Sequence, residues 1–332
     1  METVIGHCVE SCKERFGMRV LELQEVKKSF RKNQNIFAAV DGVSFHIEAG
    51  ECVGLVGESG CGKSTIARLI TRLEKMDSGE ITVNGKNMAK LKGKALRKSY
   101  QKLQMVFQNP VDSFNPKLKI GSSIGESLIN FGRYHGQVKQ KVTQLLEMVG
   151  LKAEYAARYP HEISGGQCQR AAIARAIAVE PDLLICDEVT SALDVSIQAQ
   201  IVNLILKLQK ELHMSYLFIS HDLALVQSIC NRVLVMHCGR IVEEGTIQDV
   251  IEHAVHPYTQ LLLSSVFPIN PSKQWEIPSI PQLTANANKG EACKFWQRCP
   301  YCIQRCKQEH PQLIQLNGRH RAACHLINDS KC

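Results

Sequence analysis

One run, Gly57-Glu58-Ser59-Gly60-Cys61-Gly62-Lys63-Ser64-Thr65, matches G-x-x-x-x-G-K-[ST] in full. Glycines let successive backbone N–H groups curl around phosphate oxygens, and a following helix turns its positive end toward them. Lys63 is suited to neutralise the β- and γ-phosphates of a nucleoside triphosphate, and the Ser64 hydroxyl to ligate Mg²⁺. A second run, Leu183-Leu184-Ile185-Cys186-Asp187-Glu188, is apolar and ends in two carboxylates. At a strand end Asp187 would hold the metal through water, and Glu188 would polarise the attacking water as general base. Gln108 closes the apolar stretch Leu103–Phe107, His221 follows Tyr216–Ile219, and Ile163-Ser164-Gly165-Gly166-Gln167 opens a predicted helix. Each of these three is unremarkable alone. In this order, around both phosphate motifs, they read as one site.

The positioning elements are legible in the same pattern. Glu51–Val56 is a short apolar run ending at the glycine loop, and Ser64–Arg72 reads as a helix, so strand, loop and helix follow in the order the loop requires. Between Val20 and Glu48 short alternating runs predict strands, with a polar turn near Arg31–Asn35. Glu80–Val83 predicts a strand turning at Asn84-Gly85. Residues 109–170 read as mostly helical, including Val138–Val149, and Ala171–Val179 and Ile197–Leu212 as helices. Leu183–Cys186, Tyr216–Ile219, Arg232–Met236 and Ile241–Glu243 read as strands. Lys86–Lys102 carries seven basic residues and no acidic one, with Lys90, Lys94 and Lys98 four apart, and is expected as a solvated helix face. After Ile251 the helical pattern weakens, and prolines at 257, 268, 271, 278 and 281 mark a linker-like stretch.

Length and composition bound the class. The 332 residues suit about two domains. At 44% hydrophobic and 22% charged residues the chain is an ordinary globular protein, which argues against disorder, collagen or coiled coil. No apolar run approaches the ~20 residues of a membrane span, and the N-terminus lacks a secretory pattern, so a soluble, cytosolic chain is expected. The +8 net charge is a mild excess that chooses among no partners, and no nucleic-acid partner is expected.

Of the fourteen cysteines, six crowd into the last forty residues: Cys293, Cys299, Cys302, Cys306, Cys324 and Cys332. Four thiolates can hold a tetrahedral Zn²⁺ or a [4Fe–4S] cluster, and spacing alone does not choose. Disulfides are disfavoured in a reducing compartment, and free structural thiols are the plain alternative. Cys61 and Cys186, inside the nucleotide motifs, are expected as small packing residues, with Cys61 the one that would confer sensitivity to thiol reagents.

From about Val20 to Gly245 the motifs resemble those of the ATPase subunit of an ABC transporter. The resemblance implies a P-loop NTPase of the α/β class: a RecA-like core with an antiparallel β subdomain and a helical subdomain at about 109–170. It implies a head-to-tail dimer with two ATP sites. There Ser164, Gly165, Gly166 and Gln167 of one subunit would serve the ATP held by the other. Gln108 would sense Mg²⁺ and the transport domains, and Ser191-Ala192-Leu193-Asp194 would form the dimer-contact loop. His221 would grip the γ-phosphate, and Phe30 would stack on adenine, with Phe37 as the alternative. Glu188 and His221 together imply a hydrolysis-competent site.

A narrower resemblance rests on Phe107-Gln108-Asn109-Pro110 with Asn115-Pro116, Arg158-Tyr159-Pro160-His161, Thr190 to Gln200, and His256-Pro257-Tyr258-Thr259-Gln260-Leu261-Leu262. These are similar to the dipeptide/oligopeptide/nickel importer subfamily. Its C-terminal extension resembles the stretch with Arg298-Cys299-Pro300 and Ala323-Cys324-His325, and some members bind a [4Fe–4S] cluster there. The matching ligands would be Cys293, Cys299, Cys306 and Cys324, with Cys302 extra and Zn²⁺ as the alternative. The expected domains are an arm at 1–17, the ATPase domain at 18–250, and an extension at 251–332 forming a small cysteine-rich module. The implied partners are two membrane permeases, a second ATPase favoured as a paralogue over an identical copy, and an extracytoplasmic binding protein. The implied location is the cytoplasmic face of the membrane, as a peripheral subunit. The solute would be peptide, with a nickel chelate as the alternative. A soluble ABC ATPase of translation, DNA repair or iron–sulfur assembly fits less well. The translation type carries two ATPase domains, the repair type inserts a long coiled coil between the motifs, and the assembly type lacks this extension.

Overall fold

The computed structural model describes residues 17–32, 35–132, 134, 136–191, 193–266 and 292–329. The expected arm up to residue 16 and most of the proline-marked stretch lie outside the described residues, as do Ala192 and Cys332.

Strands β1 (Arg19–Lys32) and β2 (Asn35–Glu48) are two long antiparallel strands. The sequence predicts shorter runs because register shifts along β1 break the apolar alternation. After β3 (Cys52–Val56), β4 (Ser78–Val83) pairs with β1 and β5 (Lys86–Asn87) with β4, giving a four-stranded sheet in the order β2-β1-β4-β5. The second sheet is built from β3, β6 (Leu103–Val106), β7 (Leu183–Asp187), β8 (Ser215–Ser220), β9 (Arg232–His237), β10 (Arg240–Thr246), β11 (Ile314–Asn317) and β12 (His320–Ala322). Its order is β11-β12-β10-β9-β3-β8-β7-β6. The run β9-β3-β8-β7-β6 is parallel, and β10, β12 and β11 add antiparallel at one side.

The period of two explains how one sheet serves two cores. Val56, Leu184, Cys186, Tyr216, Phe218, Val233 and Val235 face the helices. Their neighbours Val53, Leu55, Leu183, Ile185, Leu217, Ile219 and Leu234 face the antiparallel sheet and helix α1 (Lys63–Ile70). With both faces covered, β3, β7, β8 and β9 are buried along their whole length, as parallel strands must be.

Helix α2 (Gly93–Lys102) keeps Lys94, Arg97 and Lys98 exposed, so the basic stretch is the solvated face expected of it. The region read as mostly helical holds α3 (Ile120–Asn130) and α4 (Val138–Met148), with 3₁₀ turns around them. Pro110, Pro116 and Pro160 interrupt it, as do Gly132, Gly136 and Gly150 at positive φ. Next come α5 (Gly165–Ile177), α6 (Val195–Leu212), α7 (Leu223–Ile229), α8 (Ile247–Glu252) and α9 (Pro257–Val266). Helix α5 begins at the signature, where the sequence opens a helix, and runs on into the predicted Ala171–Val179 stretch; Ser164 and Gln167 form the capping box that starts it.

The stretch from residue 292, read from sequence as a module of its own, continues the main sheet. β12 pairs with β10 through Glu243↔Ala322 and Glu244↔Arg321. Buried Glu243 accepts hydrogen bonds from the backbone N–H of Val255 (2.8 Å) and His256 (3.0 Å), and His320 Nε2 lies 2.8 Å from it.

Candidate nucleotide site

The motif residues gather at the carboxyl ends of the parallel strands, where open α/β sheets bind ligands. The loop after β3 is shaped by steric necessity. A Cβ on Gly57 would lie 2.1 Å from the Met236 carbonyl oxygen, and one on Gly62 would lie 2.1 Å from that of Ala39. Gly60 has open space but a φ of +80°. Ser59 and Gly60 are exposed, and Cys61 is buried. The Lys63 ammonium donates to the carbonyls of Gly57 (2.7 Å) and Glu58 (3.0 Å) under the loop. Ser64 and Thr65 follow, half-buried, on α1.

The Ser64 hydroxyl donates to Asp187 Oδ1 at 3.0 Å, joining the two motifs across 123 residues. Burial raises the Asp187 carboxyl above its ordinary value against the Ser64 bond, and the neighbouring Glu188 charge adds to the rise. A divalent cation at this hydroxyl–carboxylate pair would offset that cost, so the donor set fits Mg²⁺. Glu188 is the hub of the next group. Gln108 Nε2 donates to its Oε2 at 2.8 Å and also reaches Ser191 Oγ at 3.3 Å. His221 Nδ1 lies 3.8 Å from Glu188 Oε1. Glu188 has a φ of +46°, a left-handed conformation uncommon for its type and concentrated at functional sites. Its backbone N–H donates to Ile219 O at 3.0 Å, which fixes it beside β8.

The signature lies apart from this group. Ser164 caps α5, and Gln167 is held by Tyr155 (Nε2 to Oη, 2.8 Å). Gly165 and Gly166 face Leu193 and Ile197, so the signature packs on the start of α6. Asp194 caps α6, accepting from Ile197 N at 3.0 Å. That backbone bond, with the Ser196 hydroxyl, lowers its carboxyl pKa. Phe30 and Phe37 are cross-strand partners with ring centroids 5.8 Å apart, and Lys28 sits 5.0 Å over Phe30. The two candidates for adenine are thus one aromatic pair, two residues along β2 from the Ala39 carbonyl that abuts Gly62.

Motif reading missed the surroundings of Glu58, an unspecified position in the loop. Its N–H donates to Tyr258 Oη (2.8 Å), and its carboxylate receives both terminal nitrogens of Arg298 (2.7 and 2.8 Å). Ser191 and Tyr155, which steady Gln108 and Gln167, were likewise not singled out for those roles. No local signal marks such pairs.

The cysteine-bearing stretch brings Cys293, Cys299, Cys306 and Cys324 into one neighbourhood. Cys293, Cys306 and Cys324 are buried and Cys299 is half-buried. Burial pushes the Cys299 thiol up to about 12 and the Cys324 thiol to about 11, with the nearby sulfurs contributing, and Cys293 moves the same way. Backbone N–H groups of Phe295, Tyr301 and Leu326 lie near the thiols of Cys293, Cys299 and Cys324 respectively and oppose part of that rise. Of the four, Cys302 interacts with Cys306 and Cys293. Among the described residues no three His, Cys, Asp or Glu side chains converge on one point as ligands of a single ion. Burial also raises the Cys61 and Cys186 thiols, in keeping with packing roles.

In fold, the chain is similar to the ATP-binding cassette MJ0796 in a dimeric post-hydrolysis state bound to ADP and Pi. The TM-score is 0.62 at 29% identity, over 68% of this chain and 98% of that one. It is also similar to cbiO1 from Clostridium perfringens, part of the ABC transporter complex cbiONQ, at TM-score 0.62 and 26% identity over 71% and 91%. The ABC transporter family profile matches residues 40–191. Fold and site define an ATPase of the ABC class. A second profile, "Oligopeptide/dipeptide transporter, C-terminal region", matches residues 242–306. The oligopeptide transport ATP-binding protein AppF of Bacillus subtilis (strain 168) is 44% identical over 93% of this chain and 98% of its own. The dipeptide transport ATP-binding protein DppF of Escherichia coli (strain K12) is 43% identical over 92% of each. OppF of Streptococcus mutans is 51% identical over 75% and 82%. The chain belongs to the family of oligopeptide and dipeptide ABC transporter ATP-binding proteins.

Proposed function

We propose that the chain is the ATP-hydrolysing motor of a peptide importer, working at the cytoplasmic face of the membrane. The observation that carries this is the Ser64–Asp187 and Gln108–Glu188–His221 grouping in a chain whose relatives are named for oligopeptide and dipeptide transport. Lys63 and the loop amides of Gly57 and Ser59–Thr65 would hold the phosphates, and Ser64, Asp187 and Gln108 would hold Mg²⁺. Glu188 would orient and deprotonate the attacking water, with His221 at the γ-phosphate. The aromatic pair Phe30/Phe37 would take the adenine. Ser164–Gln167 and Asp194 would meet the ATP of a second ATPase subunit, because they sit on α5 and α6, away from this chain's own loop. The division at about residue 250 separates motor from extension.

The partners this reading requires are two membrane permeases, an extracytoplasmic binding protein and a second ATPase subunit, which we favour as a paralogue. Peptide is preferred to a nickel chelate on the relatives' names. Uptake of labelled di- and oligopeptides should stop in cells lacking the chain and return with it. Uptake that persists, while the purified chain still hydrolyses ATP, sinks the peptide reading and spares the motor.

The extension is proposed to hold a [4Fe–4S] cluster through Cys293, Cys299, Cys306 and Cys324. Support comes from four soft donors in one neighbourhood, three of them with a backbone N–H nearby. A single Zn²⁺ is less well supported, because three donors do not converge. Anaerobic purification with iron, sulfide and zinc analysis decides: about four irons and four sulfides per chain are expected. One zinc, or no metal, overturns the cluster.

A further inference from the structure

The phosphate loop carries one residue whose backbone and side chain are all engaged away from the phosphates. The Glu58 carbonyl accepts from Lys63 Nζ at 3.0 Å and from the Cys61 N–H at 3.2 Å. Its N–H, unlike that of a phosphate-facing residue, is spent on Tyr258 Oη at 2.8 Å. Its carboxylate receives a two-pronged bond from Arg298. Both outside partners lie beyond residue 250. Tyr258 is fully buried on α9, with ring centroids 4.2 Å from His237 and 5.5 Å from Phe295. The Arg298 guanidinium lies 5.6 Å over Phe295, and its side chain is only 16% exposed. A planar fork so placed fixes direction as well as charge.

We infer that Arg298 is a positioning residue for nucleotide binding: with Tyr258 it holds Glu58, and through Glu58 the first turn of the phosphate loop. The extension thereby serves as a brace on the motor's own binding loop. The consequence follows from the Lys63 contacts. If Glu58 swings out, one of the two carbonyls that steady the Lys63 ammonium goes with it, and the lysine and the amides of Gly60–Ser64 lose their common arrangement. Pre-organised loops bind more tightly because less ordering remains to be done on binding.

The inference rests on the nucleotide-site reading, and the test separates the two. The full chain is titrated with MgATP, and its thermal unfolding is followed in parallel. Arg298→Ala is expected to weaken MgATP binding about fivefold to tenfold, the range for a partly buried two-pronged ion pair. Arg298→Lys keeps the charge but not the fork and should fall between. Glu58→Gln added to Arg298→Ala should weaken binding no further, since both act through one contact. Arg321→Ala is the control: its bond to Glu244 (2.8 Å) ties the same extension to β10, away from the loop. A control that keeps wild-type affinity supports the brace. Affinity unchanged in Arg298→Ala overturns it, as does an equal loss in Arg321→Ala, which would signify general loosening. A wild-type chain that fails to bind MgATP overturns the nucleotide-site reading itself.

Discussion

The carboxyl edge of the parallel sheet and the extension after residue 292 are assembled in different ways. At the edge, each working side chain sits at or just past the end of a strand whose neighbours are fixed by backbone pairing: Gln108 after β6, Asp187 and Glu188 at β7, His221 after β8, and the glycine loop after β3. Apart from the short backbone pairing of β12 on β10, the extension is held by side-chain ties reaching far along the chain: Arg298 to Glu58 across 240 residues and His320 to Glu243 across 77. The first arrangement makes geometry a consequence of motif order. The second makes it a consequence of a few individual polar groups, so the two regions should fail differently.

The largest effect is expected at the edge. Glu188→Gln keeps the size of the side chain and a partner for Gln108, but removes the proposed base. Hydrolysis should fall by roughly 10²- to 10⁴-fold while MgATP binding and thermal stability stay near wild type. Single-turnover hydrolysis measured beside a binding titration separates these outcomes. Retained hydrolysis would remove Glu188 from the role of base.

In the extension the same kind of change should act on stability. Glu243 is fully buried and accepts from two backbone N–H groups, with His320 at 2.8 Å. Glu243→Ala leaves those groups without a partner, which is expected to cost about 3–5 kcal/mol. Urea unfolding, with proteolysis between residues 292 and 329 as a second readout, tests it. A loss below about 1 kcal/mol would mean water replaces the carboxylate.

How much of each region could be read from sequence follows from these differences. The phosphate loop, Asp187, Glu188, Gln108 and His221 are local motifs on strands with long apolar runs, and the sheet brings them together without further information. The β11–β12 hairpin is only a few residues long and alternates weakly, so it gave no strand signal, although Asn317-Gly318 marks its turn. In sequence Arg298 is only the residue before Cys299, and Glu58 stands at an unspecified motif position. Their pairing is a tertiary fact. Phe30 and Phe37 read as alternatives in sequence because a bulged hairpin hides its register, and pairing makes them neighbours.

The seam between the regions should respond to acid. Burial holds the pKa of His237 down to about 4 and that of His256 to about 3. Glu58 and Arg298 face the first, and His237 and His310 face the second. Free histidines take up protons near 6.5, so below that pH the unfolded chain binds more protons than the folded one. The stability these histidines contribute is therefore complete above about pH 6.5 and declines as pH falls toward about 4. At pH 5 the decline should approach about 2 kcal/mol per histidine. Urea midpoints at pH 7.5 and 5.0 measure it, and a His237→Phe variant should show a shallower slope. Equal slopes would assign the acid response elsewhere.

The smallest effect discriminates most finely among the ties of the extension. Arg319 reaches Glu48 at 3.3 Å, close in sequence to His320, but its side chain is 58% exposed. Water solvates both charges already, and ordering two long side chains opposes their attraction, so Arg319→Ala should cost less than about 0.5 kcal/mol. The contrast with Glu243→Ala then has a physical reading. Two polar ties one residue apart on the same strand end would differ several-fold because only one is shut off from water. A loss at Arg319 comparable to that at Glu243 would instead mean that the extension is fastened by charge along its whole edge, and it should then weaken steeply with salt.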